Sequence, residues 1–298
     1  MTGCRRLIIR NCKMFFKDKG IFFSSLITPI ILLVLFVTFL GRVYRDSFLA
    51  ALPAGFEVDA SLVNATVGGQ LISSLLAVSC VTVAFCANLL MVQDKVSGAR
   101  KDILVSPVKR STVAVAYFGA CALTTLIVSV TALAASFLYL LKTGWYLSAA
   151  DALLLVLDVL LLTLFGVALS SCVNFGLTTQ GQISAVGTMV SAGYGFLCGA
   201  YMPISSFSPG LQKVLSLLPG TYGTSLLRNH ALGGVFREMR AVGFPGSGVE
   251  AIRDSIDCNL YFFGRSVGIG GMYLILVGAT AVLVGIYVLL STVGRRQR

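Results

Sequence analysis

The chain has 298 residues, of which 56% are hydrophobic and only 12% charged, with a formal net charge of +11. A soluble domain of this size has no use for so much apolar surface, so the composition excludes a soluble enzyme or binding module and predicts a polytopic membrane protein. The basic residues lie between apolar runs, where membrane topology and anionic lipid account for them without any nucleic acid.

Residues 1–20 read as an amphipathic helix lying in the membrane interface. Arg6, Arg10, Lys13 and Lys17 share one helical face, while Ile8, Cys12, Phe15 and Phe16 share roughly the opposite one. The first apolar run, 21–40, is longer than a signal-peptide core and lacks a small-residue cleavage site directly after it, so it is expected to stay as a span. Five more spans are expected at 67–92, 113–141, 151–173, 181–201 and 267–291. Of the 23 basic residues, 14 lie before the first span, in the 93–112 loop or in the tail (Arg295, Arg296, Arg298). With six spans these three segments face one side, which predicts cytoplasmic termini.

The loop at 93–112 carries the most information. Val96, Ala99 and Ile103 recur at i, i+3 and i+7, and Lys95, Arg100, Lys101 and Asp102 leave that stripe. The segment reads as a short amphipathic helix at the membrane surface, stopped by Pro107, with Lys109 and Arg110 marking the side as cytoplasmic. It is a place for another protein to push; the plainer reading is a basic anchor with no partner. After the fifth span, 202–266 reads as an outer half-depth helical hairpin followed by a loop. Ser208-Pro209 starts a helix that Pro219-Gly220 ends, a second short helix runs from near Thr221 to Leu232, and 234–265 is loop. No repeat or linker divides the chain, which reads as a single transmembrane domain.

Sites of chemistry are few. The eight cysteines are scattered with no CxxC pair and read as buried hydrophobes, and His230 is the only histidine, so no metal site is expected. No G-x-x-x-x-G-K-[ST] and no G-x-S-x-G occurs, hence no phosphate-cradling loop and no nucleophile elbow. Asp151 and Asp158 share a face of the fourth span about 10 Å apart, too far for a proton-sharing dyad. Asp151 reads as a solvated helix start. Asp158, about two turns deeper, lines a substrate path or is a hydrogen-bonded packing residue. No Lys or Arg lies within a predicted span, so pairing requires an outer residue such as Lys142 or Arg265 to dip inward. Asn88 is a weaker path candidate, and polar glue between helices is its other use, as for Gln180 and Gln182. Gly187, Ser191, Gly195 and Gly199 recur every four residues, a small-residue stripe that lets another helix approach closely, within the chain or across a dimer.

Two patterns complete the reading. Ser106-Pro107-Val108-Lys109-Arg110 forms a Ser-Pro-x-x-Arg element, and Gly199-x-x-x-Pro203 is followed by Leu218-Pro219-Gly220-Thr221-Tyr222 with Arg228 beyond. Together with the topology, these make the chain resemble the membrane subunits of type-two ATP-binding-cassette exporters. The resemblance implies an all-α integral membrane protein with six transmembrane helices in the plasma (inner) membrane, and a cytoplasmic coupling helix. Asp94, Lys95, Gly98, Arg100, Lys101, Asp102, Ser106, Pro107 and Arg110 would meet a separate ATPase subunit, although only Asp94, Lys95 and Gly98 match the start of that family's loop. It also implies a second permease subunit, the same or a relative, meeting this one along the 187–199 stripe. ATP and magnesium would be held by the partner ATPase, and the cargo would be a drug, antibiotic, lipid or polysaccharide. The competing reading is an ion-coupled secondary transporter or channel, which usually shows internal repeats and several intramembrane charges. An intramembrane enzyme comes third, with no catalytic residue to name.

Overall fold

The computed structural model describes residues 2–50, 59–106 and 108–293. Helix α1 (Thr2–Lys17) ends at Asp18, whose carboxylate accepts the Ile21 N–H and so caps α2 (Lys19–Leu35). A single π turn, Phe36–Leu40, joins α2 without a break to α3 (Gly41–Ala50). Capped by Asp59, α4 (Ala60–Val96) runs for 37 residues, and α5 (Ala99–Val105) is a short elbow before α6 (Arg110–Thr143). Reciprocal capping boxes start the next two helices: Ser148 with Asp151 for α7 (Ala149–Gly176), and Thr179 with Gln182 for α8 (Gln180–Leu197). A 3-10 turn (Ile204–Ser206), α9 (Pro209–Leu215), α10 (Pro219–Ala241) and α11 (Gly246–Ser255) follow. Then β1 (Leu260–Phe262) pairs antiparallel with β2 (Arg265–Val267), and α12 (Ile269–Val293) ends the described chain.

Helix α4 is the axis of the bundle. It packs against α2, α6, α7, α8 and α10 and is buried along most of its length. Its buried hydroxyls would be costly unpaired, but Ser79 and Thr82 donate to the Leu75 and Val78 carbonyls one turn back, so each is satisfied within the helix. At Gly166 on α7 a Cβ would stand 2.8 Å from the Cys80 carbonyl, so the missing side chain sets how closely α7 meets α4.

Among the described residues, five stretches are long and apolar enough to cross a membrane: Lys19–Asp46, Ala60–Val96, Arg110–Thr143, Ala149–Gly176 and Ile269–Thr292. The expected span at 181–201 corresponds to α8, whose 18 residues give a length of roughly 27 Å with two glutamines in the first turn. The largest difference from expectation is α10. Pro219 begins this helix instead of ending the one before it, because proline at the first turn loses no hydrogen bond there. The helix runs 23 residues, about 35 Å, and returns into the bundle against α4, α7 and α12. The segment expected as a loop, 234–265, therefore holds the end of α10, all of α11, β1 and the first residue of β2.

Candidate functional site: the α5 elbow and the buried polar pairs

The elbow is tied to four helices by two adjacent residues. Asp94, buried near the end of α4, receives the Arg10 guanidinium of α1 on both carboxylate oxygens and the Tyr117 hydroxyl of α6 at 2.5 Å. Donating to the Asp94 carboxylate raises the pKa of Arg10. Lys95 reaches the other way. Its Nζ donates to the carbonyls of Asn174, Phe175 and Leu177 at 3.3, 2.6 and 3.1 Å, at the C-terminal end of α7 where the negative end of its dipole lies.

Gly98 turns the chain at φ +84°, a left-handed conformation that favours glycine. This turn breaks the helical register between Val96 and Ala99, so the expected Val96–Ala99–Ile103 stripe does not form. Val96 is exposed, and Ile103 and Leu104 pack instead against Met91, Val113 and Tyr117. The outer side of the elbow shows Lys101, Asp102, Ser106 and Arg110, with Val105 88% exposed among them, while Arg100 is half-buried. Pro107 lies outside the described residues, as do Arg295, Arg296 and Arg298.

The two path candidates are both enclosed. Asp158 is 1% exposed. Its carboxylate lies 2.5 Å from His230 Nδ1 on α10 and accepts the Tyr273 hydroxyl of α12 at 2.6 Å, with the two rings stacked. The partner is thus neither Lys142 nor Arg265 but the lone histidine, carried inward because α10 is a full helix. Asn88 donates to Ser170 and Ser171 on α7 at 3.2 and 2.8 Å, a buried polar link between α4 and α7. Asp151, expected to be solvated, is buried and paired with Arg237 of α10.

A second cluster, unforeseen in the sequence, gathers the Gly199–Pro203 and Leu218–Tyr222 patterns around Arg228. This guanidinium is 0% exposed. It donates to the carbonyls of Gly199 and Ile256, to Ser74 at 3.4 Å and to the Asp257 carboxylate at 3.2 Å. Asp257 also accepts the N–H groups of Ile204 and Ser205 at 2.5 and 3.1 Å. Burial pushes its carboxyl pKa up, and Arg228 with these two amides opposes that shift. Thr221 donates to the Leu215 carbonyl at 3.0 Å and Tyr222 to that of Ser216 at 2.7 Å. Arg228 was legible as a pattern residue, whereas nothing near Asp257 marked it as the counter-ion.

The small-residue stripe does not form one open face. A Cβ on Gly195 would meet the Tyr201 ring at 2.5 Å, and Gly199 lies beyond the end of α8 at φ +73°, its carbonyl bonded to Arg228. The Ser191 carbonyl accepts the Thr28 hydroxyl at 3.3 Å. Only at Gly187, of the three glycines, is the space open. The stripe fails because the helix stops at Leu197 and the chain folds back over it.

Long apolar helices packed about a buried axis, one amphipathic helix beside them and a polar elbow at one end define an all-α integral membrane protein. More particularly, the chain belongs to the ABC-2 type transporter family, whose profile matches residues 2–231. Among curated proteins, none matches it. The family makes this chain the permease subunit of an ABC transporter, a transport subunit and not a catalytic domain, and implies a partnering ABC ATPase in the membrane complex.

Proposed function

We propose that this permease subunit works in an ATP-driven exporter that carries an amphipathic substrate out of the cell. In this reading it sits in the plasma membrane with α8 as the sixth span and both termini cytoplasmic. It pairs with a second permease subunit, and the separate ATPase, which binds ATP and magnesium, seats against the outer side of α5. The observation that carries the reading is the elbow. Asp94 and Lys95 join α4 to α1, α6 and α7, so a push on α5 is delivered to four helices at once, while Lys101, Asp102 and Val105 stay free to be pushed. An exposed valine inside a charged surface is the kind of apolar anchor a protein interface desolvates.

Val105→Asp and Lys101→Glu test this directly. Neither side chain is buried, so the variants should insert and reach wild-type abundance. Each should weaken capture of the co-expressed ATPase by about tenfold, the size of a moderate interface contact, and lower transport in proportion. Wild-type capture and transport in both variants would remove α5 from the coupling path.

A further inference from the structure

At the end of the bundle opposite α5, a groove of about 470 Å³ opens between the α2–α3 helix, α4 and α6. Its length is graded in polarity. Leu33, Val37, Leu71, Leu75 and Ala135 line the deeper part, and Arg42, Arg45, Asn64 and Tyr139 line the mouth. From Asn64 to Leu75 the groove follows α4 for roughly 16 Å.

Among the described residues, no ion pair offsets the charge at the mouth. Arg42 and Arg45 stand three residues apart on one face of α3, both exposed, and neither forms an ion pair or hydrogen bond among the described residues. Asp46 follows directly in sequence but does not line the groove. The side chains of Asn64 and Tyr139 also bond to nothing among the described residues, which leaves an amide and a hydroxyl beside the two guanidiniums. Two planar forked donors with neutral donors nearby match the oxygens of a phosphate, and the apolar trough beneath matches a hydrocarbon chain.

We propose that this groove is a binding site for an anionic phospholipid, its phosphate held by Arg42 and Arg45 and one acyl chain laid along Leu33, Val37 and Leu71. The surroundings of a membrane-spanning chain supply that ligand at high local concentration. Because the groove lies at the far end from α5, the site is independent of the coupling reading, and its test needs no ATPase.

The protein, exchanged into nanodiscs of equal parts phosphatidylglycerol and phosphatidylcholine and then released for native mass spectrometry, should retain phosphatidylglycerol over phosphatidylcholine by ~30-fold, the factor two arginines near a membrane surface supply. R42A/R45A, which alters exposed side chains only, should bring the ratio near one. Val37→Trp, filling the trough from an exposed position, should abolish retention of both lipids while leaving the protein monodisperse. Equal retention by the wild type, or an unchanged preference in R42A/R45A, would overturn the proposal. So would retention that survives Val37→Trp or is displaced equally by glycerol phosphate, since the trough would then contribute nothing. Absence of any retained lipid, as when a second copy covers the groove, counts equally against it.

Discussion

Arg228 shows how a full charge is kept inside a helix bundle. Its guanidinium is fully buried, so its stability depends on Asp257 and the two carbonyls that face it. Asp257→Asn leaves that charge uncompensated and should cost about 3–5 kcal/mol, seen as a large drop in the melting temperature of the detergent-purified protein. Arg228→Met combined with Asp257→Asn should cost less than the two single changes added together, and simple additivity would show that the pair is not coupled. Asp158 obeys the same logic on a smaller scale. Asp158→Asn keeps the Tyr273 hydrogen bond but weakens the one to His230, so about 1–3 kcal/mol of stability should be lost. Abundance should fall more than substrate range changes. A shifted substrate range at unchanged melting temperature would return Asp158 to the transport path.

Single elements were readable where periodicity or capping dominates. The amphipathic pattern of α1, the long apolar runs of α4, α6, α7 and α12, and the start of α9 at Ser208-Pro209 all emerge from local chemistry. The failures have physical causes. Pro219-Gly220 fits either a helix end or a first turn, and only the packing of α10 against α4 and α7 decides between them. Strands of three residues are too short to show alternation, so the β1–β2 hairpin gave no signal. At the elbow, the single left-handed residue reset the register of everything after it. Gly98→Ala meets no atom within 4 Å, so its whole effect is backbone strain of about 1–2 kcal/mol. The bound ATPase should therefore be lost before the fold is. Equal destabilisation of insertion and of ATPase capture would contradict this.

At the scale of the whole molecule, the contacts that hold the bundle join residues far apart in the chain: 84 positions for Arg10 and Asp94, and 72 for Asp158 and His230. No local pattern encodes such pairs, so the sequence marked Asp94, Asp151 and Asp158 as acidic residues without showing that each is buried against a distant partner. Orientation is testable directly. The exposed Ser106 and Tyr261 sit at opposite ends of the bundle, because α4 runs from the α11 end to α5. In a background with the half-exposed Cys4, Cys12 and Cys172 replaced by serine, Ser106→Cys should react with an impermeant maleimide only in inverted vesicles and Tyr261→Cys only in intact cells. Labelling of both from one side would break the six-span arrangement.

The π turn at Phe36–Leu40 has a consequence for where the arginines point. Its closing bond runs from the Gly41 N–H to the Phe36 carbonyl, five residues back, so the helix carries one residue more than an uninterrupted α-helix would. Every side chain beyond it is rotated by about 100° relative to that straight helix. The inserted residue is thus an azimuthal setting: it swings Arg42 and Arg45 over the groove, and deleting Thr38 should swing them off it without disturbing a single residue of α2.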